Sequence, residues 1–329
     1  MDLLKNIVVP TGNICIMQGA KGKLEFLSLA DYGKAKNIKA DFLGFTDEIN
    51  GVPHGELMPL TEKWVITVST QYGCSMGCTF CSVPMVGPGV NVSYIDIIRQ
   101  VIGALELHPE IGEPGRINLH YARMGEPTWN NDVLVANHMI AQGMKKSSTK
   151  FHPVISTMMP KHNTKLENYL KTWIDYKNFN ANGDAGLQLS INTTDEAARE
   201  KMFSGNALSL EEISEMMKRI LSRDNYALPF KGRKIALNFA LTGDEINGEK
   251  LRRLFDPQYF MCKITPLHMT QACEKNGMSA LDGYTTYNSY RGVEAELKCY
   301  GFDVLVFVPS KEEDESRITC GNAILSETI

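Results

Sequence analysis

From residue 63 onward the chain alternates short β-branched, apolar runs with segments whose apolar residues recur every three to four positions. Runs at 64–69, 117–120, 153–157, 187–191, 235–241 and 261–264 have the length and composition of strands. Helical patterns occupy 95–107, 132–144, 165–176, 210–223, 248–255 and 288–300. In the last of these, Tyr290, Val293, Leu297 and Tyr300 follow the 3.6-residue period. Six βα units in a row imply a parallel sheet with right-handed crossovers. No Gly-x-Gly-x-x-Gly follows the first strand, so a partial (βα)6, TIM-like barrel suits the pattern better than a doubly wound sheet. A further strand is expected over 302–308, followed by a charged loop and Ile318-Thr-Cys-Gly321.

The first sixty residues differ. Runs at 13–18, 23–29 and 41–45 read as short strands between Gly, Asp and Lys turns. The expected organisation is a β-rich amino-terminal extension, 1–62, and one catalytic barrel, 63–329. Hydrophobic residues make up 43% of the chain, enough for a real core and incompatible with disorder throughout. Thirty-four Lys and Arg against 38 Asp and Glu leave a net charge of −4, without the basic excess of many nucleic-acid proteins. A local basic groove stays open: Lys145–Lys146, Lys231-Gly-Arg-Lys234 and Arg252–Arg253 are candidates for a phosphate-binding rim, or are plain solvated surface. No apolar run reaches the length of a membrane span and no signal-peptide pattern opens the chain. A cytoplasmic protein with reduced thiols and no membrane partner is the expectation.

Three of the eight cysteines fall within eight residues, in Cys74-Ser-Met-Gly-Cys78-Thr-Phe-Cys81, just past the first barrel strand. In parallel α/β barrels that end carries the active site. Three thiolates at this spacing can bind three irons of a cubic iron–sulfur cluster and leave the fourth open to a substrate. Gly73 and Gly77 would let the loop take positive φ around it. The plainer readings are ordinary loop thiols or half a zinc site. Zinc normally asks for a second Cys or His hook, and the sequence has none.

Cys-x3-Cys-x2-Cys, with Phe80 before the last cysteine and a run of βα units behind it, resembles the radical S-adenosylmethionine (radical SAM) superfamily. The resemblance implies a 4Fe–4S cluster on Cys74, Cys78 and Cys81, with Phe80 beside the cofactors. S-adenosylmethionine (SAM) would chelate the open iron, and its one-electron cleavage would give a 5′-deoxyadenosyl radical. A flavodoxin- or ferredoxin-type protein is the implied reductant. After the second strand, Met124-Gly-Glu-Pro127 stands where the superfamily binds the methionyl amine. Gly125 permits close backbone approach and Glu126 offers an acceptor, although Gly-Glu-Pro also ends many strands.

A longer ordered set is more specific. The stretch 69–81, Arg123-Met-Gly-Glu-Pro127, Ile155-Ser-Thr157, Leu189-Ser-Ile-Asn192 and Thr319-Cys-Gly321 together resemble RlmN/Cfr-type adenosine C2/C8 methyltransferases of ribosomal and transfer RNA, over roughly residues 56–325. By that resemblance Ser156, Ser190 and Asn192 line the SAM pocket. His268 stands where the family usually has asparagine. Cys320 is the implied methyl carrier: methylated by one SAM, it then loses a hydrogen to the radical made from a second, and the carbon radical adds to adenine.

Two departures stand out. Seven residues before Cys74, where the family has the cysteine that resolves the protein–substrate adduct, this chain has Thr67. Either another thiol takes its place (Cys15, Cys262, Cys273 or Cys299, each more commonly a buried small hydrophobe), or release proceeds differently, or the product is not methyladenosine. The amino terminus lacks the helical RNA-binding pattern of the family. Glu56 aligns, across a gap, with the family's proton-accepting carboxylate, although a surface glutamate would look the same. The expectation is a monomeric radical SAM methyltransferase acting on an sp2 carbon, an RNA adenosine by resemblance. The rivals are a radical SAM enzyme that abstracts hydrogen from a small molecule or peptide, with no methyl-carrier cysteine, and a non-catalytic iron–sulfur electron-transfer protein.

Overall fold

The computed structural model describes residues 2–31, 58–222, 232–281, 288–308, 316–318 and 323–325. Seven strands run parallel: β4 (Trp64–Val68), β7 (Arg116–Tyr121), β8 (Lys150–Thr157), β9 (Gly186–Ser190), β10 (Ile235–Leu241), β11 (Phe260–Pro266) and β12 (Val304–Val306). Six βα units and a closing strand thus appear where the periodicity put them. The expected run at 302–308 contracts to three residues.

The β-rich extension is β1 (Leu3–Val9), β2 (Gly12–Gly19) and β3 (Gly22–Leu29), an antiparallel meander. It continues the barrel sheet instead of forming a separate layer: β3 pairs antiparallel with β4 at Leu27↔Thr67 and Leu29↔Val65. Among the described residues one sheet of ten strands results, in the order β1-β2-β3-β4-β7-β8-β9-β10-β11-β12. The strand expected at 41–45 lies outside the described residues. A two-stranded ribbon, β5 (Gln71–Gly73) and β6 (Pro88–Asn91), frames the cysteine loop.

Helices α1 (Tyr94–Glu106), α2 (Asp132–Met144), α3 (Leu166–Asp175), α4 (Glu196–Met202), α5 (Leu210–Leu221), α6 (Gly248–Leu254), α7 (Gln271–Lys275) and α8 (Asn288–Cys299) fill the connections. Their starts are chemically marked. The Ser93 side chain accepts from the Asp96 N–H at α1, and Ser209 with Glu212 forms a capping box at α5. Strand alternation divides the side chains of β4. Trp64, Ile66 and Val68 join the main core with Ile97, Val101 and Ala104 of α1. Val65 borders a second apolar cluster of Ile7, Ile14, Ile16, Leu27 and Leu29, closed by Ile318 and Ala323 near the carboxyl terminus. The amino-terminal meander and residues Ile318 and Ala323 are therefore packed together on one sheet face.

Leu237, fully buried in β10, tests the core. Leu237→Ala is expected to cost about 2–5 kcal/mol in urea denaturation, and Ile102→Ala on the 46% exposed face of α1 less than about 0.5 kcal/mol. Equal shifts would contradict this division of the core.

Candidate active site

Parallel pairing in register, Val68↔Tyr121, brings the carboxyl ends of β4 and β7 side by side. The loops that leave them meet at once. Met124 O accepts from the N–H groups of Thr70 (2.8 Å) and Gln71 (3.2 Å), and the Arg123 N–H donates to Val68 O (3.1 Å). The buried Gln71 amide then ties the two motifs together. Its Oε1 accepts from the Glu126 N–H (3.1 Å) and the Ser75 N–H (3.3 Å), and its Nε2 donates to Asn91 Oδ1 (2.9 Å). Gly125 is required by this contact: at φ +89°, an added Cβ would sit 2.4 Å from Gln71 Cβ. Gly73 (φ +80°) and Gly77 (φ +69°) take the positive φ expected of them.

The three thiols share one apolar pocket. Cys78 is buried with Met76, Met202 and Phe203, while Cys74, Cys81, Phe80, Trp129 and Met158 pack around them. Cys78 Sγ lies 3.3 Å from Met158 Sδ. Burial, followed by repulsion from Cys81 and Cys74, pushes the Cys78 thiol well above its usual range. Burial also pushes Cys74 up to about 11, opposed by the Met76 and Gly125 N–H groups beside its sulfur. Among the described residues no three Cys, His, Asp or Glu side chains form a preformed metal-ligand group. The pocket nonetheless suits a soft, thiolate-bound group: three cysteines in one apolar cluster, backbone donors toward the sulfur of Cys74, and thioethers and rings around them.

The other expected residues fall at the same end of the barrel, in different settings. The Glu126 carboxylate is 3% exposed and occupied by its neighbours. Oε1 accepts from the Thr128 N–H (3.1 Å) and Oγ1 (2.7 Å), and Oε2 from the Met158 N–H (3.0 Å). It thereby fastens the turn after β7 to the end of β8, and burial raises its pKa. Ser156 and Ser190 lie on the strand faces that carry His152, Val154, Gly186 and Gln188, which line a barrel-interior cavity of about 760 Å³. Asn192 has φ +65°; its Oδ1 accepts from the Ala240 N–H (3.2 Å), while its Nδ2 faces the weak acceptor Met202 Sδ (3.2 Å). Phe80 stacks edge-on against Phe203 at 5.8 Å. His268 lies between β11 and α7, its carbonyl 3.5 Å from Cys273 Sγ. Glu56 and Cys320 lie outside the described residues.

Sequence reasoning missed Gln71, Arg199 and α7. Arg199, 2% exposed, gives Nε to Leu208 O (3.0 Å) and Nη1 to Ser190 O (2.9 Å) and Ile191 O (2.6 Å). Its Nη2 is buried without a hydrogen-bond partner among the described residues. Burial lowers its pKa to about 10, and Glu196 and Cys78 pull it back up. The cysteine pocket therefore carries a buried cation. Helix α7 clamps the cysteine loop from outside: Thr270 Oγ1 donates to Phe80 O (2.7 Å) and Asn276 Nδ2 to Thr79 O (2.6 Å). Cys273, in α7, lies 3.3 Å from Phe80 O, so it borders the loop. Cys15 and Cys262 belong to the main core, and Cys299 is exposed. Of the basic rim candidates, Arg233 pairs with Asp184 (3.3 Å), Lys234 with Asp303 (2.5 Å) and Arg252 with Asp256 (3.4 Å), and Lys231 lies outside the described residues.

No family model matches the chain. It is 26% identical over 184 residues to the probable dual-specificity RNA methyltransferase RlmN of Aquifex aeolicus, a match covering 55% of this chain and 47% of that protein. The corresponding enzyme of Clostridium tetani is 28% identical over 220 residues, 65% of this chain and 56% of that one. A 70-residue stretch is 43% identical to ribosomal RNA large subunit methyltransferase N of Nitrosopumilus maritimus, 21% of this chain and 20% of that protein. The chain thus spans about half or less of the length of these curated relatives. A radical SAM methyltransferase from Sphaerobacter thermophilus superposes with a TM-score of 0.62 at 16% identity, covering 93% of this chain and 76% of that one. The fold is that of the radical SAM enzymes, and the sequence resemblance is to the RlmN/Cfr type.

The glycines of the loop separate two kinds of constraint. Gly77→Ala meets nothing within 4 Å and carries only backbone strain of about 1–2 kcal/mol. Gly73→Ala adds a Cβ 2.1 Å from Gly87 O. After anaerobic reconstitution with iron and sulfide, the Gly73→Ala protein is expected to hold clearly less iron than the Gly77→Ala protein. Equal iron contents would show that the loop is not held as described.

Proposed function

We propose that this chain is a radical SAM methyltransferase that methylates an sp2 carbon of an RNA adenosine, with Cys320 as methyl carrier. The observation that carries the reading is the junction at Gln71, where a three-cysteine loop and a Gly-Glu turn are bonded to one side chain at the carboxyl end of the barrel. The ordered similarity to RlmN-type enzymes supports the substrate class.

When bound, a 4Fe–4S cluster supplies the electron that cleaves SAM to a 5′-deoxyadenosyl radical. In this reading Cys74, Cys78 and Cys81 hold the cluster, and Met76, Met158, Met202, Phe80 and Phe203 keep water from it. Arg199 offsets the negative charge of the thiolates. Gly125 lets Gln71 pack against the turn, and Glu126 fixes that turn, which would receive the methionyl end of SAM. Ser156, Ser190 and the Asn192 Nδ2 present donors to the nucleoside end, with His268 on the neighbouring loop. Thr67 carries no thiol, so the adduct is resolved without a disulfide at that position; Glu56 is the candidate proton acceptor. The enzyme works in the cytoplasm as a monomer, reduced by a flavodoxin- or ferredoxin-type protein. Residues 1–62 form its β-rich extension and 63–329 the catalytic barrel.

Intact-mass analysis after turnover is expected to show a species heavier by one methyl group, absent from Cys320→Ala. Nucleosides from RNA incubated with the wild type are expected to include methyladenosine. An unmodified Cys320 would remove the carrier role, and a methylated Cys320 with unchanged RNA would move the substrate to a small molecule or peptide.

A further inference from the structure

Glu25 lies on β3 with its side chain fully buried, facing Arg123 from the turn after β7. Burying an ion pair carries a desolvation cost that apolar residues of the same size would avoid. What this pair does that apolar side chains could not is satisfy main chain. Arg123 Nε and Nη2 both face Glu25 Oε1, and the two terminal nitrogens also reach the carboxy-terminal segment. Nη1 donates to Ile318 O (3.1 Å) and Nη2 to Arg317 O (2.9 Å). The other carboxylate oxygen, Oε2, accepts from the N–H groups of Ala323 (2.7 Å) and Ile324 (3.3 Å). Four peptide groups on two separate stretches of irregular chain thus find their partners in one ion pair.

Both ends of the pair are anchored. Glu25 sits in a strand paired on both sides, and its carbonyl accepts from Ser69 Oγ (2.5 Å). Arg123 immediately precedes Met124, whose carbonyl receives the Thr70 and Gln71 N–H groups at the head of the cysteine loop. Ile318, Ala323 and Ile324 also pack on Ile7, Ile14 and Ile16, so apolar burial supplies adhesion and the ion pair supplies register.

We infer that Glu25 and Arg123 are positioning residues that hold the segment bearing Cys320 in register with the cofactor-binding turn. The inference rests on the proposed carrier role of Cys320. In sequence Cys320 stands two residues after Ile318 and three before Ala323. Two residues of extended chain span about 7 Å, so pinning both flanks confines the thiol whatever path the chain takes between them. Neither side chain is assigned a chemical step. The carboxylate's oxygens are committed to Arg123 and two N–H groups.

The test combines amide hydrogen exchange with product analysis on the full, anaerobically reconstituted chain. In Glu25→Gln the Ala323 and Ile324 amides are expected to exchange at least ~10-fold faster, while those of β10 stay as in the wild type. Methylation of Cys320 is expected to fall at least ~10-fold, with SAM cleavage to 5′-deoxyadenosine within about 2-fold of the wild type. Arg123→Lys, which keeps the charge but cannot reach both carbonyls, is expected to fall between them and serves the same readouts should Glu25→Gln not fold. Unchanged exchange at Ala323 and Ile324 would overturn the clamp. Faster exchange with undiminished Cys320 methylation would overturn the positioning role. A wild-type Cys320 that is never methylated would instead sink the carrier reading, and the exchange data would still judge the clamp on their own.

Discussion

The side-chain amide of Gln71 is the interaction on which the site depends. It is 1% exposed, and its two ends bond to the cysteine loop, the Gly125–Glu126 turn and the β6 ribbon. A primary amide suits this place because it offers an acceptor and two donors from one plane. Neither segment has regular secondary structure of its own, and buried peptide groups in such loops need partners. The parallel register of β4 and β7 brings them to the same spot, and Gln71 turns proximity into a fixed geometry. Further ties reach outward from there: Glu126 to β8, Arg123 to the carboxyl terminus, and α7 to the outer side of the loop.

Much of the fold was legible because the barrel strands and their helices each carry one strong period. Strand β10 and helix α2 occupy the expected residues at both ends. The misses share a cause. Helices α4 and α7, of seven and five residues, and the three-residue β5 are too short for a period to show. Strand β1 is absent from the sequence expectation because Lys5 and Asn6 interrupt its alternation, and pairing with β2 decides its state. The joining of the extension to the barrel sheet was invisible for another reason: strand patterns mark faces and say nothing about which edges meet.

The site divides along the same line. Cysteine spacing and the Gly-Glu turn are local and were readable, including the positive φ at Gly73 and Gly77. Residues whose importance comes from burial were not. Arg199 sits in Asp195-Glu-Ala-Ala-Arg-Glu-Lys201, which looks like a solvated helix, and only the packing of Phe203 and Leu208 around it reveals a buried cation. Glu25 occupies the polar slot of an alternating strand and would pass for a surface residue. The hint lay in the neighbouring run, since Leu24, Phe26, Leu27 and Leu29 are apolar on both faces of β3, as in a strand covered on both sides.

Acidity and local pairing bear on the substrate. The net charge is −4, and Arg233, Lys234 and Arg252 each have an acidic neighbour, which weakens any attraction for a polyanion at those positions. Upstream of any substrate stands the proposal that Cys74, Cys78 and Cys81 would hold a 4Fe–4S cluster to which SAM binds. The electron paramagnetic resonance spectrum of the reduced, reconstituted protein, recorded before and after addition of SAM, tests it most directly. The account predicts a reduced 4Fe–4S signal that changes shape when SAM is added and is lost in Cys78→Ala. A signal indifferent to SAM, or one that survives loss of Cys78, would contradict it.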